Sequence, residues 1–259
     1  MAWNKFPNPD PAYVYTAASL KKSWTRLHVG DAEALPKDAA LLPAWIAFHA
    51  GDFEKATKLG LEYGPGGLAV ANKATCIYAT YLEPDEKKKI ALFEEVVKRC
   101  EDQQSVTPDD PAIWYWHAYA LGRYAQGISV VKALAQGLAK KVRHSLDTTL
   151  KLSPKHADAH VALASYHAEI IDAVGAMIGG MTYGAKKDEA IKNFKAALVL
   201  NPGSAITRIE YANSLLKLDG KKKMDEALRL YEEAAACEPV DAMERLDVEL
   251  AKAELEDDE

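Results

Sequence analysis

His156, His160 and His167 come closest to a reactive constellation, because separations of four and seven residues share one helical face, where imidazoles could ligate a metal. A zinc hydrolase of this spacing needs His-Glu-x-x-His with the glutamate as base, whereas residues 156–160 read His-Ala-Asp-Ala-His. His156 also stands where a helix should begin, so the three are read as structural or surface histidines and no metal is expected. The sequence has no Gly-x-Ser-x-Gly elbow, no Walker loop and no Gly-x-Gly-x-x-Gly after a strand. Gly-Pro-Gly-Gly at 64–67 has the composition of a turn. Carboxylates are abundant, but they alternate with lysines as on a solvated helical face. Cys76, Cys100 and Cys237 are odd in number and far apart, which suits small buried hydrophobes better than disulfides or zinc ligands. Neither catalytic groups nor a cofactor is expected.

What the sequence does specify is a set of helices that repeats. Ala227, Tyr231, Ala234 and Pro239 are spaced by four, three and five residues, as are Ala190, Phe194, Ala197 and Pro202, and again Val142, Leu146, Thr149 and Pro154. The first three positions of each set share a helical face, a small–large–small stripe that lets a neighbouring helix approach while the large side chain fills the gap. The proline cannot continue a helix and restricts the residue before it, so it marks the end of a unit. Before each stripe runs another helix with a small residue where two helices must cross: Ala118, Ala164 and Ala212.

This pattern resembles the tetratricopeptide repeat (TPR) family, whose helical hairpin of about 34 residues carries W-x2-L-G-x2-Y, then A-x3-F, then P. Trp114, His117, Ala118 and Leu121 stand at the first-helix positions, followed in later units by Leu163 and Ala164, and by Tyr211, Ala212 and Leu215. The terminal prolines lie 48 and 37 residues apart, so the units are lengthened. Fainter units precede them: Ala56 follows a Gly-Asp turn at 51–52, and 85–97 is an amphipathic helix with Ile90, Phe93 and Val97 on one side. Asp110 and Pro111 supply a cap and a first helical residue for the next unit.

The expected fold is therefore all-α, a right-handed α–α superhelix. It divides into an N-terminal segment and capping helix over 1–37, about five hairpins over 38–240, and an acidic capping helix and tail over 241–259. The hairpins span 38–63, 67–101, 110–152, 156–201 and 204–238, with cap helices near 11–28 and 241–255. Caps are needed because an end repeat otherwise exposes an apolar face.

The extra length lies where one helix of a hairpin turns into the next. Ile170, Ile171, Val174, Met177, Ile178 and Met181 form one apolar stripe, and Ile128, Val131, Leu134 or Ala135, and Leu138 form another. Both should protrude at the same end and bury against each other, or else form a pocket for an apolar molecule or a subunit contact. Lengthened repeats of this kind look similar to two TPR-like groups, the TPR component of tripartite solute transporters and the regulator-of-microtubule-dynamics proteins. The first resemblance implies a periplasmic lipoprotein handling a hydrophobic ligand.

In such an array the first helices line the concave side. The positions three before and one after each crossing residue are Tyr115 and Tyr119, Val161 and Ser165, Ile209 and Asn213, with Arg123 one turn further on. Tyrosine and arginine dominate binding energy at interfaces, so these seven are the expected partner-binding residues, for a protein or peptide. The functional expectation is a non-catalytic interaction scaffold; the alternative is a hydrophobic-ligand or transporter-accessory protein using 128–138 and 170–181. Residues 241–259 carry nine carboxylates against Arg245 and Lys252, a local −7 out of −6 overall, so the remaining body is near +1. No basic face is left for nucleic acid. No stretch of about 18 apolar residues suggests a membrane span, and no secretory signal is read at the N-terminus. A cytoplasmic location is expected, or a periplasmic one had a leader been removed; oligomeric state is not encoded legibly.

Overall fold

Helices begin where the sequence supplies a side chain that satisfies their free N–H groups. Asp52, Asp85, Asp110, His156 and Ser204 each accept a hydrogen bond from a backbone N–H of the following turn, a contribution of about 1 kcal/mol apiece. The structure is a computed structural model describing residues 3–257, and among these no strand occurs. Residues 1–2 and 258–259, the outer ends of the 1–37 and 241–259 segments, lie outside the described residues.

α1 (Ala17–Leu27) is shorter than the helix expected over 11–28, because Pro11–Tyr13 is a separate 3-10 turn and Val14 is extended. Thr16 and Ser19 then open α1 with a reciprocal capping box. Antiparallel pairs follow: α2 (Leu42–His49) with α3 (Phe53–Tyr63), then α4 (Leu68–Tyr81) with α5 (Glu86–Gln104). In the third unit α6 (Pro111–Ile128) and a short α7 (Val130–Ala135) precede α8 (Leu138–Leu152). In the fourth, α9 (Ala157–Val174) and α10 (Ala176–Tyr183) precede α11 (Lys187–Leu200). α12 (Ala205–Asp219) and α13 (Met224–Ala235) form the fifth pair, and α14 (Ala242–Asp257) ends the described chain. The fold is all-α, a right-handed superhelix of TPR-like hairpins.

The small–large–small stripes are its core. Ala190, Phe194 and Ala197, Ala227 and Ala234, and Leu146 and Thr149 are fully buried, with Tyr231 and Val142 nearly so. Ala118, Ala164 and Ala212, at the helix crossings, are buried as well. Gly60 and Gly67 make the closest approach: a Cβ on Gly67 would stand 2.1 Å from the Gly60 carbonyl oxygen, so only glycine lets α3 and the turn before α4 meet.

The two extensions depart from expectation. Gly175, at φ +80°, breaks the apolar stripe between α9 and α10. Ile170, Ile171 and Val174 pack into a cluster with Leu134, Leu138 and Tyr166, but Met177, Ile178 and Met181 remain 75%, 55% and 84% exposed. The stripe is therefore only half covered. Ser129, at φ +88°, likewise ends α6 and turns α7 back so that Ala133 is buried and Val131 is not.

α14 does more than cover one end. Its Ala242 and Leu246 pack with Trp45 and Phe48 of the first hairpin, while Val248 and Ala251 pack with Tyr211 and Leu215 of the fifth. Tyr81 of α4 donates to Asp247 Oδ1 at 2.5 Å. Residues 241–257 thus cross the inner side of the superhelix and tie its first unit to its last. Arg26 of α1 reinforces the tie through a two-pronged contact with Glu244 at 2.5 and 2.9 Å.

Candidate functional site

Hairpins that stack with α14 across their inner wall leave one part of that wall open, between α6 and α9. A cleft of about 170 Å³ opens there, lined mainly by apolar and aromatic side chains and reaching from Asp247 of α14 to Ala133 and Leu134 of α7. Of the seven residues expected to bind a partner, it brings together Tyr115, Tyr119, Arg123, Val161 and Ser165. Ile209 and Asn213 lie elsewhere. Ile209 is 1% exposed in the cluster where α9, α12 and α14 meet, and Asn213 accepts from the Tyr231 hydroxyl at 2.5 Å. Ile206 and Glu210, three residues earlier on α12, face the cleft instead, since Ile209 packs with Val248 and Ala251 of α14 and Asn213 is held by α13.

The polar residues of the cleft hold one another in place. Arg123 Nη2 donates to Glu210 Oε1 at 2.9 Å, Arg123 Nη1 donates to Gln126 at 3.1 Å, and the guanidinium lies 5.4 Å from the centre of the Tyr119 ring. Ser165 donates to the other Glu210 oxygen at 3.3 Å. The Tyr119 hydroxyl is 2.9 Å from that of Thr80, which anchors a half-buried ring whose remaining face meets the cleft. Tyr115 is buried, its ring 4.4 Å from that of His156, and forms the floor. An aromatic, an arginine and two apolar walls on rigid helices can grip a side chain or a small apolar body. Nothing in this arrangement resembles a nucleophile activated by a base.

The three histidines are each engaged in structure. His156 Nδ1 accepts from the Ala159 N–H at 3.1 Å, His160 Nδ1 is 2.7 Å from Asn193, and His167 Nδ1 accepts from the Lys186 N–H at 3.3 Å. Acceptance requires neutral rings, and burial pushes His156 and His167 down to about 4. Cys76 of α4 and Cys100 of α5 are buried in the cluster shared with α6, and burial raises both thiols. Among the described residues no group of three His, Cys, Asp or Glu could hold a metal ion, and no helix is long and apolar enough to cross a membrane.

An ionic cluster behind the cleft had no signature in the sequence. Lys73 of α4, 2% exposed, donates to Asp31 at 2.6 Å, and Asp31 also meets His28 Nδ1 at 3.0 Å. His49 and Asp241 pair at 2.7 Å. These partners are 42 and 192 residues apart, so no local spacing announces them. The one cue is a lysine within the apolar run of α4.

Burial leaves other acids of this region short of countercharge, with consequences for pH. It pushes Asp158 up to about 7 and Glu33 up to about 8, the negative charge of Asp31 adding to both. In the unfolded chain both ionise near pH 4, so the stability they confer when protonated is lost as pH rises through 7 and 8. His28, His156 and His167, held near 4 by burial, act oppositely: their contribution is present above about 6.5 and lost as pH falls toward 4. Stability should therefore peak near neutrality and decline by about 1 kcal/mol between pH 7 and 8.5, roughly 2–4 °C in melting temperature. Calorimetry across that range checks it; a melting temperature rising to pH 8.5 would contradict the buried acids.

Comparison with solved structures gives a likeness to a thermophilic TPR protein from Thermus thermophilus, with a TM-score of 0.56 and 18% sequence identity, covering 83% of this chain and 97% of that one. At that identity the likeness establishes the fold alone. No curated protein matches the sequence. A family model does match, over residues 64–257, and it is not that of the transporter TPR component. The matched span takes in α14 and every helix from α4 onward, and by it the chain belongs to the family described as regulator of microtubule dynamics protein 1-3.

Proposed function

We propose that the chain is a non-catalytic TPR-like scaffold that binds a segment of a partner protein in the cleft between α6 and α9. The observation that supports this most is the coverage of the inner wall. α14 occupies the surface that helical arrays commonly offer to ligands, and what stays open carries Tyr119, Arg123, Glu210 and Ser165 in fixed orientation. The family's description makes polymerised tubulin the first partner to try. Tyr119→Ala should weaken partner binding about tenfold or more, as truncation of a central aromatic anchor does, while shifting the melting temperature little. Co-sedimentation with microtubules, and pull-down from source extract, would measure it. If Tyr119→Ala instead costs as much stability as a core truncation, the ring belongs to the core and leaves the binding surface.

A second reading has its own observation. The cleft runs on beneath α7 to Ala133, Leu134 and Leu146, an apolar extension larger than a peptide side chain requires. A hydrophobic small molecule would fit this geometry, a carrier role drawing on Val130, Ala133 and Leu134 of 128–138 but only on Ile170 of 170–181. Native mass spectrometry separates the two: a co-purifying lipid-sized adduct favours the carrier, an empty chain the scaffold.

A further inference from the structure

Behind the cleft lies a second cavity, of about 30 Å³, and Asp158, Ile206, Met243 and Asp247 line both. The charges around this junction pair off almost completely. Lys73 holds Asp31, Arg26 holds Glu244, His49 holds Asp241, Arg123 holds Glu210, and Lys217 holds Glu169. Of the carboxylates that line these two cavities, two are left over; Glu33, also without a cation, lines neither. Asp158 has neither a hydrogen bond nor an ion pair to its side chain among the described residues; its backbone N–H donates to Gly30 O at 3.0 Å, which pins the α9 terminus against the 28–33 segment. Asp247, 4% exposed, receives a single hydrogen bond, from the neutral Tyr81 hydroxyl, and meets no cation among the described residues.

We propose that the inner end of the cleft receives an alkyl primary amine, its hydrocarbon stem along Ile206 and Met243 and its ammonium between Asp158 and Asp247. The proposal rests on the reading of the cleft as a binding site and names the chemistry of what enters it. Two acids at the end of an apolar passage, Asp247 buried and Asp158 half-buried, have no cation bonded to them, because Lys73, which also lines the smaller cavity and acts to lower the Asp158 carboxyl, is held by Asp31. The smaller cavity has room for a group about the size of one water molecule, which suits an ammonium and not a planar guanidinium. Tyr81, Tyr115 and Tyr119 around the passage present aromatic surface, which favours a cation on its way in. The absence of a three-ligand group among the described residues disfavours a metal ion here. Burial also raises Asp247 well above the usual carboxylate range and Asp158 to about 7, as expected of carboxyls with no cation of their own.

The amine could be the side chain of a lysine on a partner or a free aliphatic amine. Titrating n-octylammonium, 1-octanol and octanoate into the full chain by isothermal calorimetry tests the shared chemistry. Octylammonium should bind at least about tenfold more tightly than octanol, and octanoate should not bind. Asp158→Asn/Asp247→Asn, which keeps shape and removes charge, should abolish that preference while leaving octanol affinity unchanged; its melting temperature above pH 7 reports that it is folded. Equal affinity for amine and alcohol, or a preference that survives in the double variant, overturns the amine site and leaves the cleft reading standing. Failure of all three probes to bind also overturns the amine site, whereas the partner-binding reading stands or falls with Tyr119→Ala. A lysine-centred tripeptide and its norleucine counterpart distinguish the sources. Charge-dependent binding of the lysine peptide identifies a partner's side chain, and binding of octylammonium alone identifies a free amine.

Discussion

Phe194→Ala should cost about 3–5 kcal/mol, a large share of a total stability of roughly 5–15 kcal/mol. The ring is fully buried between Ala190 and Ala197, and it stacks on Tyr211 of the next hairpin with centroids 4.8 Å apart and planes 15° from parallel. Truncation therefore empties a cavity inside one hairpin and removes the contact that couples it to its neighbour. In an array stabilised by nearest-neighbour interfaces, that second loss matters as much as the first. The melting temperature should fall by roughly 10 °C, given about 2–4 °C per kcal/mol for a chain of this size. Urea unfolding followed by tryptophan fluorescence measures the change, and Phe194→Leu, which keeps most of the volume, should recover more than half of it. A loss under about 1 kcal/mol for the alanine variant would mean that the ring does not carry the interface between the fourth and fifth units.

That prediction could be written from spacing alone, and the reason is physical. Packing between adjacent helices is local in sequence, so the alternation of alanine and aromatic residues at 190–197 and 227–234 records it directly. The α-helical repeat class was legible for the same cause. The placement of α14 was less so: Met243, Leu246 and Leu250 mark an amphipathic helix, but nothing in 242–257 says that its Ala242 and Leu246 will reach Trp45. The cleft shows the same division. Tyr115, Tyr119, Arg123, Val161 and Ser165 follow from position on the first helices, whereas Ile209 is buried against α14 and Asn213 is held by Tyr231, so that Ile206 and Glu210 face the cleft in their place. Gly175 and Ser129 also show how an apolar periodicity can run through a helix break, since hydrophobic spacing does not record φ.

Lys73→Met should destabilise the protein by about 3–5 kcal/mol even though it replaces a charge by an apolar side chain of similar length. Burial acts to lower the lysine's pKa, but Asp31 at 2.6 Å more than offsets it and keeps the ammonium charged. Around its stem stand the Phe48 and Trp45 rings, 4.9 and 5.9 Å from the charge. The same ion pair holds the Asp31 carboxyl well below the usual range against the burial that would raise it. Removing the cation leaves Asp31 with a neutral His28, whose own ring burial keeps near 4, and the Glu33 N–H at 3.2 Å, but no countercharge. The cost is that of a stranded anion, which makes a second substitution informative. Asp31→Asn added to Lys73→Met should restore at least about 1 kcal/mol, because a neutral amide is cheaper to bury than an unpaired carboxylate. A double-mutant cycle by denaturant unfolding gives the coupling directly. Simple additivity of the two losses would show that Lys73 acts through packing on Phe48 and not through Asp31. In that event the charge balance that singles out Asp158 and Asp247 would need redrawing, since it assigns Lys73 wholly to Asp31.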